Sequence, residues 1–424
     1  MLPRAIVLNM FYTGLGIARS LGSRGVEVTG LTSTRIYGNS TRYADVLSSP
    51  DSRTEPEALV SFLLSLNRPP GTRPIIFPTR DDDVIFLDRF RSRLEPSYTL
   101  AIPATSALEH SLDKWKTFCC ARKAGVPTPV CWLVESLSDL SNIADTLSYP
   151  IVIKPVSAHH WRRADNWKLV GGRKAIPIAS RAELFSQYTV IAGADPRVLV
   201  QEFIPGGDDA LVIVGCFVDA SSKITAAFNA RKLLQSPALF GTGCIVEGAS
   251  CPELLEPTQR LLSEMGFSGI AEVEFKWDPT LSEYRVIEVN PRPWDQHPIG
   301  AALGVDVIYA AYTSYAGLSV PTLMSSGHTV KWIAEDALIK TILRMLWRME
   351  SGIWKVIRST RGSKVYAIWS LRDPVPFLHF VIFSLVPELG RSAYAVLRRA
   401  FGWLYPRNWR QPSVSDTRIG GGNE

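Results

Sequence analysis

Three side chains able to do chemistry sit at alternate positions near the end of one apolar run: Glu288, Asn290 and Arg292 in RVIEVNPRPW, residues 285–294. Side chains two apart on a strand share a face. Val286 is expected on that face, with Ile287 and Val289 on the other. An earlier apolar run, IAEVEFKWD, reaches a turn at Asp278–Pro279, and in it Glu272 and Glu274 alternate with Val273 and Phe275. The two runs read as a hairpin that sets Glu274 opposite or next to Glu288. Like charges opposed on a ladder destabilise it, and in a half-buried site one carboxylate takes up a proton. A divalent cation removes the conflict. Oxygen-only ligands suit Mg2+ or Mn2+, with substrate phosphate oxygens completing the shell. Glu274, Glu288 and Asn290 are the expected metal ligands, and Arg292 offers a fork for phosphate or carboxylate. The alternative is a solvated strand face carrying chance acids. The apolar flanks and the immediate Asn-Pro-Arg-Pro turn argue against it.

Two lysines upstream extend this reading. Lys154 closes the run Ile-Val-Ile-Lys-Pro, where an amine is costly to bury unless it meets an anion. Lys114 follows Asp113 at a helix start, where a cation opposes the helix dipole. Either alone reads equally well as a solvated lysine. Together, with a metal site downstream, they point to a nucleoside triphosphate.

The elements that must hold these residues can be followed along the chain. RAIVLNM, GLGIARSLGSRG and VEVTGLTS read as strand, helix and strand, the start of a β-α-β unit. RPIIFPTRDDD repeats the strand-loop design, and ligands meet such loops at the carboxyl ends of parallel strands. Residues 111–125 read as a helix closed by Gly125. Residues 157–172 read as a polar mobile loop, with His159, His160 and Trp161 read as surface and contact with substrate as the alternative. VLVQEFIPGGDDALVIVGCFVD is two strands about a Pro-Gly-Gly turn, and ELLEPTQRLLSEMGFSG is an amphipathic helix. Gly14 and Gly16 in YTGLGIARS leave a dinucleotide site open as an alternative. Arg19 stands where a third glycine would be, and no acid closes the second strand.

The ordered series LDKWKTFCCARKAGVPTP, YPIVIKP, QEFIPGGDD, AEVEF and IEVNPR resembles the ATP-grasp superfamily over about residues 110–295. The resemblance implies an α/β and α+β protein in four parts. Residues 1–110 would be a Rossmann-like preATP-grasp domain. Residues 111–199 would be the small lobe or lid, residues 200–325 the large lobe with the metal site, and residues 326–424 a basic, aromatic-rich helical extension. It implies ATP and Mg2+ as cofactors. Lys114 and Lys154 would hold phosphates, and Gln201, Glu202, Phe203 and Ile204 would form the hinge strand against adenine. Asp208 would take the ribose, with Asp209 as its rival. Glu274, Glu288 and Asn290 would bind two metal ions. Arg292 would steady the transferred phosphoryl group. Arg231 would face the triphosphate or an acyl phosphate, with Lys232 beside it. The implied reaction activates a carboxylate as an acyl phosphate for attack by an amine. Within the superfamily, the carboxylate–amine ligases match best, with D-aspartate ligase as a distant relative. No biotin or bicarbonate signature is found, and carbamoyl phosphate synthesis usually needs a longer chain. An ATP-binding module without catalysis, or a dinucleotide oxidoreductase, remains the alternative.

The 424 residues exceed one ordinary core, so several domains are expected. Six cysteines form no C-x-x-C pair, which suits small core residues in a reducing compartment, and a cytoplasmic protein is expected. The formal net charge of +6 is concentrated late: residues 331–424 hold 15 Lys+Arg against 7 Asp+Glu, and half of the twelve tryptophans. That mixture suits packing on the body or peripheral contact with a membrane. FLHFVIFSLV, between two prolines, is too short to span one. No nucleic-acid motif is seen. The partners expected are a small carboxylate and a small amine, with a homo-oligomer left open.

Overall fold

The computed structural model describes residues 2–66, 71–162, 164–236, 241–318, 323–325, 329–347, 349, 352–387 and 390. Contacts divide the chain into residues 1–377 and 378–424, and three sheets build the first unit.

The first sheet is parallel. Strands β1 (Ala5–Leu8), β2 (Val28–Thr32), β3 (Asp45–Ser48), β4 (Ile75–Phe77) and β5 (Thr99–Leu100) lie in the order β3-β2-β1-β4-β5. β1 and β4 are buried along their whole length and are unbroken apolar runs, as strands covered on both faces must be. Ile6, Leu8 and Ile76 pack with Val84, Leu87 and Leu108. The helix Tyr12–Gly22 follows β1. A Cβ on its Gly16 would come within 2.7 Å of His297 Nε2, and one on Gly14 within 2.0 Å of the Asn9 carbonyl oxygen. Close packing therefore accounts for the glycine pair without a dinucleotide.

The second sheet is antiparallel: β6 (Cys131–Val134), β7 (Ile151–Pro155), β8 (Ile176–Ile178) and β9 (Val198–Glu202), in the order β6-β9-β7-β8. Helices Leu137–Ala144 and Arg181–Ile191 cover one face through Leu140, Ala144, Leu184 and Tyr188. Both begin on a serine, Ser136 and Ser180, whose oxygen accepts from the backbone N–H three residues on. The expected loop at 157–172 contains helices Ala158–Trp161 and Ala164–Leu169. Trp161, expected at the surface, is buried in this core. Helices of four and six residues are too short to display a helical repeat.

The third sheet holds β10 (Leu211–Val218), β11 (Ile224–Ser236), β12 (Thr242–Ala249), β13 (Gly269–Asp278), β14 (Glu283–Asn290), β15 (Leu323–Met324), β16 (Lys331–Ile333) and β17 (Lys364–Tyr366). Its order is β14-β13-β10-β11-β12-β16-β17, with β15 on β11. Val214, Val273, Phe275 and Val289 pack on helices Lys114–Lys123 and Leu255–Glu264 through Phe118, Leu261 and Leu262. Burying each such side chain stabilises by about 1.5–3 kcal/mol. The sheet continues past the boundary expected at 326. β16 and β17 extend its edge, Asp373 accepts from Arg19 Nε at 2.9 Å and from Thr41 Oγ1 at 2.7 Å, and Glu335 accepts the Ile368 and Trp369 N–H groups. Residues up to 377 are thus part of the body. Three-residue strands carry no readable period, which hid them.

Of residues 378–424, those at 378–387 and 390 are described. Val381–Leu385 is a π-helical turn, and Leu378, Ile382, Phe383 and Val386 are exposed. Among the described residues no helix is long and apolar enough to cross a membrane. The arginine- and aromatic-rich stretch 398–410 and the last twelve residues lie outside the described residues.

Candidate active site

Residues of the second and third sheets, with Thr79 and Arg80 from the loop after β4, line one cavity of about 550 Å³. The hairpin supplies its floor. Glu274 pairs with Glu288 across β13 and β14, and Glu272 with Asn290, as the alternation predicts. Glu272, Glu274 and Lys276 face the cavity, while Val273 and Phe275 enter the core. One detail differs. The register slips so that Phe275 pairs with Val286, leaving Ile287 without a partner. A bulge of this kind breaks strand alternation. Val286 therefore joins Val289 in the core, and Ile287 lines the cavity beside Glu288.

Each carboxylate has a distinct neighbour. Glu288 is held by Lys114 in a short contact, and Glu274 Oε1 by Lys232 Nζ at 2.7 Å. Glu272 Oε2 accepts from Asn290 Nδ2 at 2.9 Å, and its Oε1 is buried without a hydrogen-bond partner. Burial and the charge of Glu274 push the Glu272 carboxyl well up. Burial acts the same way on Glu288, but Lys114 overcomes it and holds that carboxyl down. Lys154 donates to Gln201 Oε1 at 3.2 Å. Burial and the charge of Lys114 bring its amine down to about 8. An anion beside it would favour the charged form.

Arg292 lies just past β14. Its Nε donates to Asp81 Oδ1 at 2.6 Å, and Arg162 Nη1 reaches Asp81 Oδ2 at 3.1 Å. Asp81 thus joins the first domain to the hairpin and to the segment 157–172. Burial raises the Asp81 carboxyl, but the two arginines more than offset it and hold it far below the carboxylate range.

Gln201, Glu202, Phe203 and Ile204 border the cavity. The Glu202 side chain is engaged by Arg285 and by the Val130 N–H. Lys276 Nζ lies 5.3 Å from the Phe203 ring centre and donates to Ile204 O at 2.8 Å. Asp208 is not among the lining residues. Its carboxylate accepts from Gln235 N at 2.7 Å and Gln235 Nε2 at 2.9 Å, and Gln235 reaches the cavity instead.

Arg231 does not fit its expected role. It is exposed on β11 and does not border the cavity, while Lys232 beside it is buried and does. Adjacent strand residues point to opposite faces, so only one of the pair can enter. Lys174, in the bend just before β8, also borders the cavity and donates to Thr242 Oγ1 at 2.9 Å. Nothing in the sequence around Lys174 singled it out. Lys276 could have been found, since it continues the alternation of Glu272 and Glu274. Asp295 is a further lining acid. It accepts from Thr13 Oγ1 at 2.8 Å and has no ion-pair partner among the described residues.

Among the described residues no three His, Cys, Asp or Glu side chains form a closed metal cage. Mg2+ is commonly held by one or two carboxylates, with phosphate oxygens and water filling the remaining positions. Glu274, Glu288 and Asn290 offer oxygens of that kind, and the partnerless Glu272 Oε1 lies in the same cavity. The donor set fits a hard cation arriving with a phosphate.

Residues 246–322 match the family model described as carbamoyl-phosphate synthase L chain, ATP binding domain. A D-aspartate ligase from Enterococcus faecium is 24% identical over 148 residues, 34% of either chain. The chain thus spans about a third of that relative's length. Among solved structures, the biotin carboxylase–β-γ-ATP complex from Campylobacter jejuni superposes with TM-score 0.61 at 17% identity, covering 75% of this chain and 72% of that one. An L-amino acid ligase from Bacillus licheniformis gives TM-score 0.54 at 16% identity, covering 74% of each chain.

Proposed function

Because the chain belongs to the ATP-grasp superfamily, we propose that it is an ATP-dependent carboxylate–amine ligase. The observation that carries this reading is one cavity in which Glu272, Glu274 and Glu288 stand among Lys114, Lys154, Lys232 and Arg292. Such a set suits a polyphosphate whose charge spreads during transfer.

Adenine would lie in the apolar part formed by Val152, Ala175, Leu211 and Ile287, against Phe203 and Ile204. Lys114, Lys154 and Lys174 would meet the phosphates. Glu274, Glu288 and Asn290 would hold Mg2+, which supplies neutralisation of the phosphate oxygens. For that, Lys114 and Lys232 must turn from the carboxylates to the phosphates. Arg292 would exchange Asp81 for the substrate carboxylate and hold it in line with the γ-phosphorus. A carboxylate oxygen then bonds to that phosphorus, the bond to the bridging oxygen breaks, and ADP leaves. The amine nitrogen next bonds to the acyl carbon, and the C–O bond to phosphate breaks. The ammonium loses two protons in all, one to the departing phosphate and one to solvent. Asp295 would receive the ammonium, being a lining carboxylate with no ion-pair partner among the described residues.

The test is ADP release from MgATP with single carboxylates, crossed with amines and with hydroxylamine. Release that needs an acid and a nucleophile together supports the ligase. Tight ATP binding with no release across the panel would favour a binding module. The filled lysine, arginine and carboxylate positions favour the enzyme.

A further inference from the structure

The exposed apolar side chains are unevenly spread. Among the described residues of the first unit, eight of the nineteen large ones fall between 346 and 375, far from the cavity-lining residues in sequence. The densest group is formed by two helices packed on each other, Glu335–Trp347 and Ile353–Ser359. The first ends on Leu346, 58% exposed, and Trp347, 48% exposed, and Met349 follows at 91%. In the second only Val356 is buried, and Trp354 is 72% exposed. Helical spacing puts Trp354, Ile357 and Arg358 on one side, opposite Val356. A tryptophan this bare in water is costly, since each such ring carries one of the largest apolar surfaces in the chain.

The charge around this face has one sign. Residues 340–364 hold seven Lys+Arg and one acid, a balance equal to the net +6 of the whole protein. Lys355, Arg358, Arg361 and Lys364 are all exposed. A second copy docked face to face would bring these cations together. A nucleic acid would satisfy the cations but leave Leu346, Met349 and Ile357 against water. A surface that is apolar below and anionic above satisfies both. Tryptophan favours the membrane interface, and long basic side chains extend from it to the headgroups.

We propose that the face formed by the C-terminal end of Glu335–Trp347 and the helix Ile353–Ser359 binds an anionic lipid surface, holding the protein on a membrane without spanning it. Trp354 and Ile357 enter the boundary between headgroups and acyl chains, and Lys355 and Arg358 meet lipid phosphates.

The experiment is flotation of the full chain with phosphatidylcholine vesicles, with and without phosphatidylglycerol. The wild type is expected to float with the anionic vesicles alone and to be released by high salt. Neutralising two cations in Lys355→Gln/Arg358→Gln should weaken binding about thirtyfold, at about 1 kcal/mol per basic residue near the surface. Trp354→Ser/Ile357→Ser should weaken it comparably. Absence of flotation, or flotation unchanged in both variants, overturns the inference. So does a wild-type dimer in solution that Trp354→Ser/Ile357→Ser dissociates, which would assign the face to a second copy. A second readout, with a conservative aromatic replacement, uses brominated acyl chains. They should quench wild-type tryptophan emission more than that of Trp354→Phe, and equal quenching overturns the proposal.

Discussion

Glu274 and Glu288 face one another across β13 and β14, and each is held by a lysine from elsewhere: Lys232 on β11 and Lys114 at a helix start. Two opposed acids are thereby kept in one cavity by two amines. The arrangement resolves the charge conflict of the hairpin and leaves both lysines placed to turn toward an incoming phosphate.

Replacing Glu288 with Gln keeps the shape and removes the charge. ADP release should fall by about a hundredfold or more, as when one preorganised electrostatic contact to a transition state is lost. Circular dichroism should be unchanged. Turnover near wild type would remove Glu288 from the metal site.

Lys232→Ala and Arg231→Ala form a paired test of strand orientation. The first deletes a buried amine bound to Glu274, and ATP binding measured by calorimetry should weaken at least about tenfold. The second changes an exposed side chain and should leave binding within about twofold. The reverse pattern would mean that Arg231, not Lys232, faces the nucleotide.

Asp295→Asn separates the two half-reactions. ADP release with a carboxylate and hydroxylamine, a nucleophile largely uncharged at neutral pH, should be near wild type. The KM for a cationic amine should rise about tenfold or more, as for a lost charged hydrogen bond. Equal loss in both assays would assign Asp295 to nucleotide or carboxylate binding.

His297 gives a pH prediction away from the metal ligands. Its Nε2–H donates to the Thr13 carbonyl at 3.2 Å, and burial pushes the imidazole down to about 4. The unfolded chain titrates near 6.5. Between these values the unfolded state binds a proton that the folded state refuses. The stability from the neutral ring is therefore complete above about pH 6.5 and is lost as pH falls toward 4, up to about 3 kcal/mol in all. His297→Gln keeps a donor for Thr13 and should flatten this slope in denaturant titrations. An unchanged slope would show that the ring does not titrate in this window.

Much of the site was legible because it is written in local periods. Glu272, Glu274, Glu288 and Asn290 alternate on two strands joined by a turn, and alternation alone fixes their common face. Gln201 through Ile204 were implied by the resemblance of QEFIPGGDD to the family's hinge segment, not by a local period. The first sheet was legible locally, since β1 and β4 are apolar runs bounded by polar turns.

What the sequence could not decide were features set by distant parts of the chain. Lys114 and Glu288 are 174 positions apart, and Arg292 and Asp81 are 211 apart. No local pattern encodes such pairs. The bulge at Ile287 moved one apolar side chain into the cavity because of how β14 lies against β13. The faces of Arg231 and Lys232 were settled by the register of β11 with both its neighbours. Trp161 was drawn into a core that its polar sequence neighbours concealed. The sequence by itself determined which residue types stand at the ends of which strands, because backbone geometry repeats every two residues. Only the tertiary structure decided which of them meet, because that depends on two sheets and the loop after β4 closing around one cavity.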